Sequence, residues 1–464
     1  MRLFPCLILS VLALQVQAAQ VQTTRPEPVA SVSAKDYSSD LMTLYRESRL
    51  EDPRVLASYA RAQASKEHAR EAFGSLLPQI SANAGGNRIK QSTAVSDQIY
   101  NSENYSVSLS QALYNKAAWE NYQKLKSAIK QTESETVEAQ AEATVDLAQR
   151  YFAALAAEDE LELIQAERRA TQKNLDRINA LYEKQLAMIT DVLDLRARVD
   201  ALAAQEVDGR NQVQVTRAAL SEIVGRPIKE PLSRIRSDVE LKVSDESLET
   251  WVQQALVDNP SLKSTISAVE VADAAVRGGK AGHYPTLSLN LSAQQTNEGY
   301  NNSLAPQTDS YVAGLQLSVP LYSGGSTSAR VRGLVQDQIS AEQQMEATRR
   351  QVLKETTTAY LNAGASVDKI RANRNALSSA EQSSIASQKA FTYGVVNAVD
   401  VLTSVQNEFK ARRDLLKTQY DFITNLFILN RWAGKLSDES VESVNVWLTQ
   451  SSPTSPVSER NSKQ

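Results

Sequence analysis

The sequence predicts a mainly α-helical chain that also contributes strands to a membrane β-barrel, built as two copies of a helix–strand–strand–helix–helix unit. Three observations predict this fold class. Residues 117–183 contain no glycine or proline. Four shorter segments alternate between small or apolar residues and polar residues, as strands with one apolar and one polar face do. Short motifs of the first half recur in the second half at an offset of 207 to 209 residues.

The first eighteen residues, MRLFPCLILSVLALQVQA, predict a signal peptide that is cleaved after Ala18. A membrane anchor is the alternative, but the apolar run Leu3–Val16 is short for a membrane span. The only cysteine, Cys6, lies inside this segment. The mature chain is therefore expected to contain no disulfide and no cysteine nucleophile.

The recurring motifs indicate an internal duplication. Asp52-Pro53 recurs as Asn259-Pro260, and Gly225 recurs as Gly434. Matches that keep one order and nearly one offset favour two structural repeats over chance. The predicted division is a signal peptide at 1–18, an N-terminal extension at 19–40, a first repeat at 41–230, a linker at 231–247, a second repeat at 248–440, and a C-terminal segment at 441–464 whose tail from 450 is expected to be disordered.

Each repeat carries two predicted strands that a polar loop joins as a hairpin. The first helix of the first repeat, 54–74, is stopped by Gly74 and Pro78. The predicted strands are 79–93 and 104–114 in the first repeat and 286–294 and 311–321 in the second, and the predicted loops are 95–103 and 297–309.

A long helical hairpin follows each pair of strands. Residues 117–183 would span about 100 Å as a helix, and their apolar residues recur at alternating spacings of three and four, as in coiled coils. Residues 192–224 return as a second helix until Gly225. The second repeat has the same plan, with 328–392 going out and 399–431 coming back.

Four amphipathic strands cannot close a barrel, and an open sheet edge inside lipid would leave backbone groups without hydrogen bonds. Three chains would supply twelve strands and six long helical hairpins, so a trimer is the most economical closed assembly. A dimer with eight strands, a small soluble sheet, and a periplasmic coiled-coil scaffold without a pore remain alternatives. The net charge of −4 gives no argument for a nucleic-acid partner.

The sequence resembles the TolC family of trimeric outer-membrane channel-tunnels in Gram-negative bacteria. The resemblance rests on LSQALYN and LSVPLYSGG near the strands and on MITDVLDLRAR and NAVDVLTSVQN at the helical turns, and it covers about 41–450. It implies a homotrimer with a 12-stranded β-barrel in the outer-membrane lipid and a long periplasmic α-helical barrel. It also implies a periplasmic adaptor protein and an inner-membrane ABC transporter as partners.

Because no lipidated cysteine is expected at its start, the chain resembles the type I secretion branch of that family. The resemblance therefore implies a passive exit duct for secreted polypeptides, with no enzymatic activity, no cofactor and a periplasmic gate that opens like an iris. A duct for drugs or other small molecules is the alternative within the family. The two histidines, His68 and His283, lack the neighbours of a metal site or of a catalytic serine, so no metal site is expected.

The resemblance also implies roles for residues at the hairpin turns. Asp400 occupies the position of a pore-facing aspartate, and Thr403 stands where the family has a second one. The family's gate latch joins a threonine and an aspartate to a tyrosine and an arginine. Here these positions hold Thr190, Asp191, Phe391 and Val396, so a polar latch of the family type cannot form and apolar packing is expected instead.

The turns themselves and the strand entrances complete the set of candidate residues. The resemblance places Gly394 and its first-repeat counterpart Gln185 in the adaptor-contact turns, and it places Pro78 and Pro285 at the joints between helix and strand. Independently of the family, Asp191 and Asp400 are expected to be helix N-caps, because a short polar side chain stabilises the start of a helix.

Overall fold

The computed structural model describes residues 39–92, 97–236, 239, 241–242, 246–299 and 307–449. The expected signal peptide at 1–18, almost all of the extension at 19–40 and the expected disordered tail from 450 lie outside these residues. Among the described helices, none combines the length and the apolar character that a membrane crossing requires.

Both halves of the chain contain the predicted order of helix, strand, strand, helix, helix, and each half begins with one further, short helix. In the first half the elements are α1 (Leu41–Glu51), α2 (Pro53–Gly74), β1 (Gln79–Ser92), β2 (Asp97–Asn115), α3 (Lys116–Glu183) and α4 (Ile189–Val224). In the second half they are α5 (Leu248–Asp258), α6 (Pro260–Lys280), β4 (Thr286–Gly299), β5 (Thr308–Ser318), α7 (Ser326–Thr392) and α8 (Ala398–Trp432). The segment between the halves contains β3 (Arg234–Ile235), and the chain continues after α8 into α9 (Asp438–Asn445) and β6 (Leu448–Thr449), which pairs with β3.

The two long hairpins follow from sequence features at their ends. Helix α3 begins where the Asn115 side chain accepts a hydrogen bond from the Ala118 amide at 2.9 Å, and it continues for 68 residues. Helices α4 and α8 are followed by Gly225 and Gly434, whose φ angles are +77° and +70°. These left-handed conformations are open to glycine without strain. A Cβ on Gly434 would also lie 2.5 Å from the carbonyl oxygen of Asp258.

The four longer strands form one antiparallel sheet in the order β1-β2-β4-β5. The register places Ile80, Leu109, Leu291 and Ala313 side by side, so one face carries apolar side chains from all four strands. Leu315 on this face is 68% exposed in the single chain. The other face is polar, and hydrogen bonds cross it between the side chains of Ser110 and Asn290 at 3.0 Å and of Ser81 and Ser108 at 2.8 Å.

The strand ends differ from those that the sequence pattern predicts. Strand β2 begins at Asp97, within the segment predicted as the loop 95–103, because the backbone pairs of the hairpin continue to Ser92 and Asp97. The alternation of apolar and polar side chains is weak in this segment, but the backbone hydrogen bonds between two strands do not depend on it. Strand β4 likewise continues to Gly299. Strand β5 ends at Ser318 instead of residue 321, and Pro320, which has no backbone N–H to donate, follows closely.

The largest apolar core lies where α3, α4 and α8 meet α1 and the segment around β3. Tyr151, Phe152 and Phe422 are fully buried there. The Tyr151 hydroxyl donates to the Ser233 carbonyl and accepts from the Ser233 amide, both at 3.0 Å. It also donates to the Ser39 carbonyl at 3.2 Å, and its second-repeat counterpart Tyr360 donates to the Glu246 carbonyl at 3.4 Å. Glu246 lies 207 residues after Ser39, the offset at which the motifs recur, so the two tyrosines hold corresponding segments of the chain.

Candidate functional site

The candidate site consists of the two turns that connect the long helices, which we call turn 1 (184–191) and turn 2 (393–400). Three backbone hydrogen bonds at the end of the outgoing helix recur in both turns. In turn 1 the amide of Leu186 donates to the carbonyl of Leu181 at 2.9 Å, and in turn 2 the amide of Val395 donates to the carbonyl of Ala390 at 3.0 Å. Both helix ends therefore close with the same pattern, in which a left-handed residue lets a later amide reach back to the last turn.

The left-handed position is occupied by different residues in the two turns. Gly394 has φ = +74°, and Gln185 has φ = +61°. Gln185 is the only non-glycine residue with positive φ in the described part of the chain. A side chain in this region is strained by about 1–2 kcal/mol relative to the right-handed region. The two candidate adaptor-contact residues thus share a conformation, but only Gly394 adopts it without strain.

The expectation that Asp191 and Asp400 are N-caps is wrong, because both return helices begin before them. Helix α8 has Asn397 as its N-cap, and Asp400 is its third residue. The Asp400 amide donates to the Asn397 side chain at 2.8 Å, and the Asp400 carboxylate accepts from the Asn397 amide at 3.2 Å. This reciprocal pair is a capping box. Helix α4 begins after Met188, which offers no side-chain cap, and Asp191 lies in its first turn.

The second hairpin contacts the first through apolar side chains near the turns. Phe391 and Val396 are half-buried and pack against an apolar cluster formed by Leu163 of α3 with Val401, Val405 and Phe409 of α8. Phe391 also packs against a second cluster, which includes Leu175 and Ile178 of α3. Ala398, at the start of α8, is buried in the same region. The family's tyrosine and arginine positions are therefore filled by residues that make apolar contacts between the two hairpins.

A polar contact accompanies this packing, and it comes from the first hairpin. The guanidinium of Arg177 on α3 donates to the Thr392 hydroxyl at 3.1 Å and lies 5.1 Å from the centre of the Phe391 ring. The first-hairpin positions of the family latch, Thr190 and Asp191, make no side-chain hydrogen bond to any described residue. A polar contact between the hairpins is thus present, but Arg177 makes it instead of Thr190 or Asp191.

Of the two positions that the family resemblance assigns to pore-facing aspartates, only Asp400 carries a charge. Its side chain is exposed, although one carboxylate oxygen takes part in the capping box. Thr403 is also exposed, and its hydroxyl donates to the Val399 carbonyl at 2.9 Å, within its own helix. Both positions are accessible in the single chain, and they lie one helical turn apart on α8.

The turns also present apolar side chains that sequence analysis did not identify. Tyr393 is 83% exposed in turn 2, and Leu186 is 72% exposed in turn 1. Met188 and Val395 are exposed beside them. A sequence signal was available, because surface turns are ordinarily polar, whereas half of turn 1 and most of turn 2 is apolar.

The predicted joints lie next to the ends of the sheet. Pro78 precedes β1 directly, and Pro285 precedes β4 directly. The Gln111 side chain on β2 donates to the Leu76 carbonyl at 2.7 Å, which ties the first joint to the neighbouring strand. At the second joint a short 3-10 turn, Ala281–His283, follows α6.

Three charged or polar contacts connect the hairpins farther from the turns. Arg431 on α8 contacts Glu138 on α3 at 2.6 Å, Tyr420 donates to Asp159, and Arg413 contacts Glu167 at 3.2 Å. Burial raises the pKa of the Asp159 carboxyl, and burial beside Asp159 raises the pKa of the Tyr420 hydroxyl. Sequence analysis missed these pairs, because their partners are more than 240 residues apart in the chain.

The sequence matches the family described as outer membrane efflux protein over residues 44–226 and 251–435. The chain belongs to the outer membrane efflux protein family. The two matched stretches correspond to the two halves of the structure, each with one helical hairpin.

Curated relatives in this family are similar over most of their length. The chain is 28% identical to the outer membrane protein TolC of Vibrio cholerae over 425 residues, which cover 90% of this chain and 96% of the relative. It is 28% identical to the alkaline protease secretion protein AprF of Pseudomonas aeruginosa, covering 85% and 84%. It is 25% identical to the proteases secretion protein PrtF of Dickeya chrysanthemi, covering 87% and 89%.

Solved structures of outer-membrane proteins share the fold. The chain superposes on the channel-forming protein CusC with a TM-score of 0.77 at 16% identity, covering 87% of this chain and 95% of the other. It superposes on VceC of Vibrio cholerae with a TM-score of 0.73 at 18% identity, covering 85% and 96%. The family match and the curated relatives show that the chain is a TolC-family channel protein of the Gram-negative outer membrane, where it serves as an exit duct.

Proposed function

We propose that the chain is the outer-membrane duct of a tripartite type I secretion system and passes secreted polypeptides. The observation that carries this proposal is the similarity, over most of both chains, to AprF and PrtF, which are named for the secretion of proteases. The partners would be a periplasmic adaptor protein and an inner-membrane ABC transporter. The duct itself would be passive, with energy supplied by the transporter.

The sheet supports assembly as a homotrimer. In the single chain β1 and β5 are the edge strands of the described sheet, and long unpaired edges are unfavourable in lipid. If β1 of each chain pairs with β5 of the next, three chains give a closed 12-stranded barrel. The apolar face would then contact outer-membrane lipid, and the polar face would line the lumen. Pro78 and Pro285 would redirect the chain from the helical wall into this barrel.

The turns would form the periplasmic gate of the duct. Asp400 would supply one ring of three carboxylates at the constriction, with Thr403 beside it, while Phe391 and Val396 hold the closed state through apolar contacts. The exposed apolar residues around Gly394 and Gln185 would receive the adaptor. Thr190 and Asp191 would lie at the gate without forming a latch of the family type.

A deletion strain of the source bacterium tests the cargo. We expect one or more secreted polypeptides to disappear from the medium, and the full-length gene to restore them. Drug sensitivity is measured in parallel on the same strain. An unchanged set of secreted polypeptides together with a large increase in drug sensitivity would contradict polypeptide export and favour small-molecule efflux.

A further inference from the structure

The described sheet has the outline of a parallelogram, because its two edge strands are displaced along the strand direction. Gln79, at the start of β1, is level with Gly314, so the last four residues of β5 extend beyond the start of β1 toward the helices. At the other end Thr308, the start of β5, is level with Gly85, so the last seven residues of β1 extend beyond β5. Copies that join these two edges side by side must therefore be shifted relative to each other.

This outline restricts how β1 of one chain can pair with β5 of the next. All of β5 finds a partner on β1 only if β1 of the next chain lies four to seven residues lower, toward the helices, than β1 of the same chain. The shift must also be even, because an odd shift would place the apolar face of one chain beside the polar face of the next. Shifts of four and six residues are therefore the two that satisfy both conditions.

The tilt of strands in membrane barrels selects the same two shifts. With about 3.3 Å per residue along a strand and about 4.8 Å between neighbouring strands, shifts of four and six residues across four strands correspond to tilts of about 35° and about 46°. Strands of outer-membrane barrels tilt by about 35–45°. Shifts of two and eight residues would give about 19° and about 54°. The outline of the sheet and the closure of a barrel thus require the same displacement.

Three charged side chains lie on the edge strands near the upper end of the apolar face, away from the helices. Arg88 and Lys90 follow Ile80 on β1 by eight and ten residues, and Asp309 precedes Ala313 on β5 by four residues. Alternate residues of a strand share a face, and the pairing is regular over these residues, so all three lie on the face that carries Ile80 and Ala313. Each of the three side chains is exposed in the single chain.

These three charges have no oppositely charged partner in the described part of the chain. Arg88 and Lys90 form neither an ion pair nor a side-chain hydrogen bond with a described residue. The Asp309 carboxylate accepts hydrogen bonds from the neutral side-chain amides of Gln295 at 3.1 Å and Gln307 at 3.2 Å. The carboxylate is thereby positioned on the edge strand, while its charge stays uncompensated within the single chain.

We infer that Asp309 forms an ion pair with a basic residue of the next chain, and that this pair helps to select the register in which three copies close the barrel. A shift of four residues places Asp309 directly opposite Arg88 of the next chain, and a shift of six places it opposite Lys90 of the next chain. Both allowed registers thus bring a carboxylate and a cation together at each seam between chains. This inference rests on the proposed function, since it takes the homotrimer as its starting point.

The position of the pair near lipid increases its effect. Asp309 is level with Tyr105 and Ala84, and beyond this level the apolar face continues with the charged residues Glu103 and Arg88. An ion pair at this boundary is screened less by water than one on the surface of a soluble protein. An unpaired charge there is unfavourable, and like charges directly opposite each other on neighbouring strands are destabilising. The seam pair therefore stabilises the trimer more than an ordinary surface ion pair would.

Cysteine cross-linking tests the register, and the chain suits this experiment because its only cysteine, Cys6, lies in the predicted signal peptide. Opposite residues of antiparallel strands have Cα atoms about 4.5–5.5 Å apart, within the range that a disulfide bridges. Two test variants carry Asp309→Cys with either Arg88→Cys or Lys90→Cys. The control carries Asp309→Cys with Ala84→Cys, since these positions would be opposite each other if the next chain were not shifted.

Outer-membrane fractions of each variant are oxidised and analysed on a denaturing gel without reductant. We expect covalently linked trimers from at least one test variant and none from the control. Wild-type trimers without cross-links in either test variant, or equal cross-linking of the control, would overturn the inference. Absence of wild-type trimers would instead contradict the proposed function, and the inference with it.

Charge reversal tests whether the pair stabilises the trimer. Asp309→Lys should lower the temperature at which trimers dissociate on gels by several degrees, because like charges then oppose each other across the seam. Substituting Asp for the cross-linked basic partner, Arg88 or Lys90, in the same chain should restore the wild-type temperature. Glu103→Lys is the matched control, because it reverses an exposed charge on the same face but on β2, inside the sheet. Equal losses in Asp309→Lys and Glu103→Lys, or no restoration, would contradict a pair across the seam.

Discussion

Turn 1 and turn 2 have the same backbone but different support from their side chains. Turn 2 has glycine at the left-handed position, a complete capping box, and Phe391 packed against the other hairpin. Turn 1 has Gln185 in the strained conformation and Met188 at an uncapped helix start. The backbone hydrogen bonds that close the turn are kept in both repeats. The side-chain contacts differ, and they hold turn 2 more firmly than turn 1.

The largest expected difference between the two turns is found when Phe391 and its first-repeat counterpart Tyr182 are each substituted by alanine. Phe391→Ala should remove roughly 2 kcal/mol of packing between hairpins, because the ring is half-buried and loss of a fully buried one costs about 3–5 kcal/mol. Tyr182 is exposed, so Tyr182→Ala should change little. Conductance of the closed channel measures the difference: we expect an increase only for Phe391→Ala. Equal behaviour of the two variants would show that the turns do not differ in packing.

The exchange of the left-handed residues should have opposite effects in the two turns. Gly394→Gln should weaken turn 2 by about 1 kcal/mol, which is the cost of a side chain with positive φ. Gln185→Gly should strengthen turn 1 by less, since glycine also gains freedom in the unfolded chain. Hydrogen exchange of the Val395 and Leu186 amides, which close the two turns, reports these changes. Faster exchange of Leu186 in Gln185→Gly would contradict the strain at that position.

The difference in capping can be reversed by substitution. Asn397→Ala should weaken the start of α8 by about 1 kcal/mol, a typical value for loss of an N-cap. Met188→Asn places a capping residue three positions before Asp191, so a capping box can form and α4 should start more firmly. Amide exchange in the first turn of each helix measures both effects. If Met188→Asn gave no added protection, the missing cap would not be what distinguishes the turns.

The smallest effect on stability is expected from the two aspartates, although one should change conduction. Either substitution to Asn should weaken its helix start by a few tenths of a kcal/mol, through loss of a negative charge near the helix N-terminus. Asp400→Asn should in addition weaken block by multivalent cations added on the periplasmic side, because Asp400 is the proposed pore carboxylate. Planar-bilayer recordings with both variants compare the two sites. Unchanged block in Asp400→Asn would remove Asp400 from the pore.

Much of the fold could be predicted from local sequence features. The absence of glycine and proline over 117–183 indicated α3, and Gly225 and Gly434 marked the ends of the return helices. The helix starts were placed too late, because Asp191 and Asp400 look like caps while Met188 does not. The left-handed conformation of Gln185 could not be read from its residue type, which rarely adopts it.

The contacts between the hairpins were beyond sequence analysis for a different reason. Pairing of Arg413 with Glu167, rather than with the nearer acidic residues of its own helix, depends on how two helices far apart in the chain lie against each other. Helical periodicity indicates which face of a helix is apolar, but it does not determine the relative height of two long helices. The same holds for Arg177, whose contacts with Phe391 and Thr392 accompany the expected apolar packing.

The central claim, that this chain forms an outer-membrane conduit closed at its helical turns, is tested most directly by one reconstitution. Full-length protein extracted from outer-membrane fractions would be examined for heat-modifiable trimers and inserted into planar bilayers. We predict trimers that give discrete single-channel steps of low conductance, as expected for a closed duct. Monomeric protein recovered in the soluble fraction, without conductance in bilayers, would contradict the account.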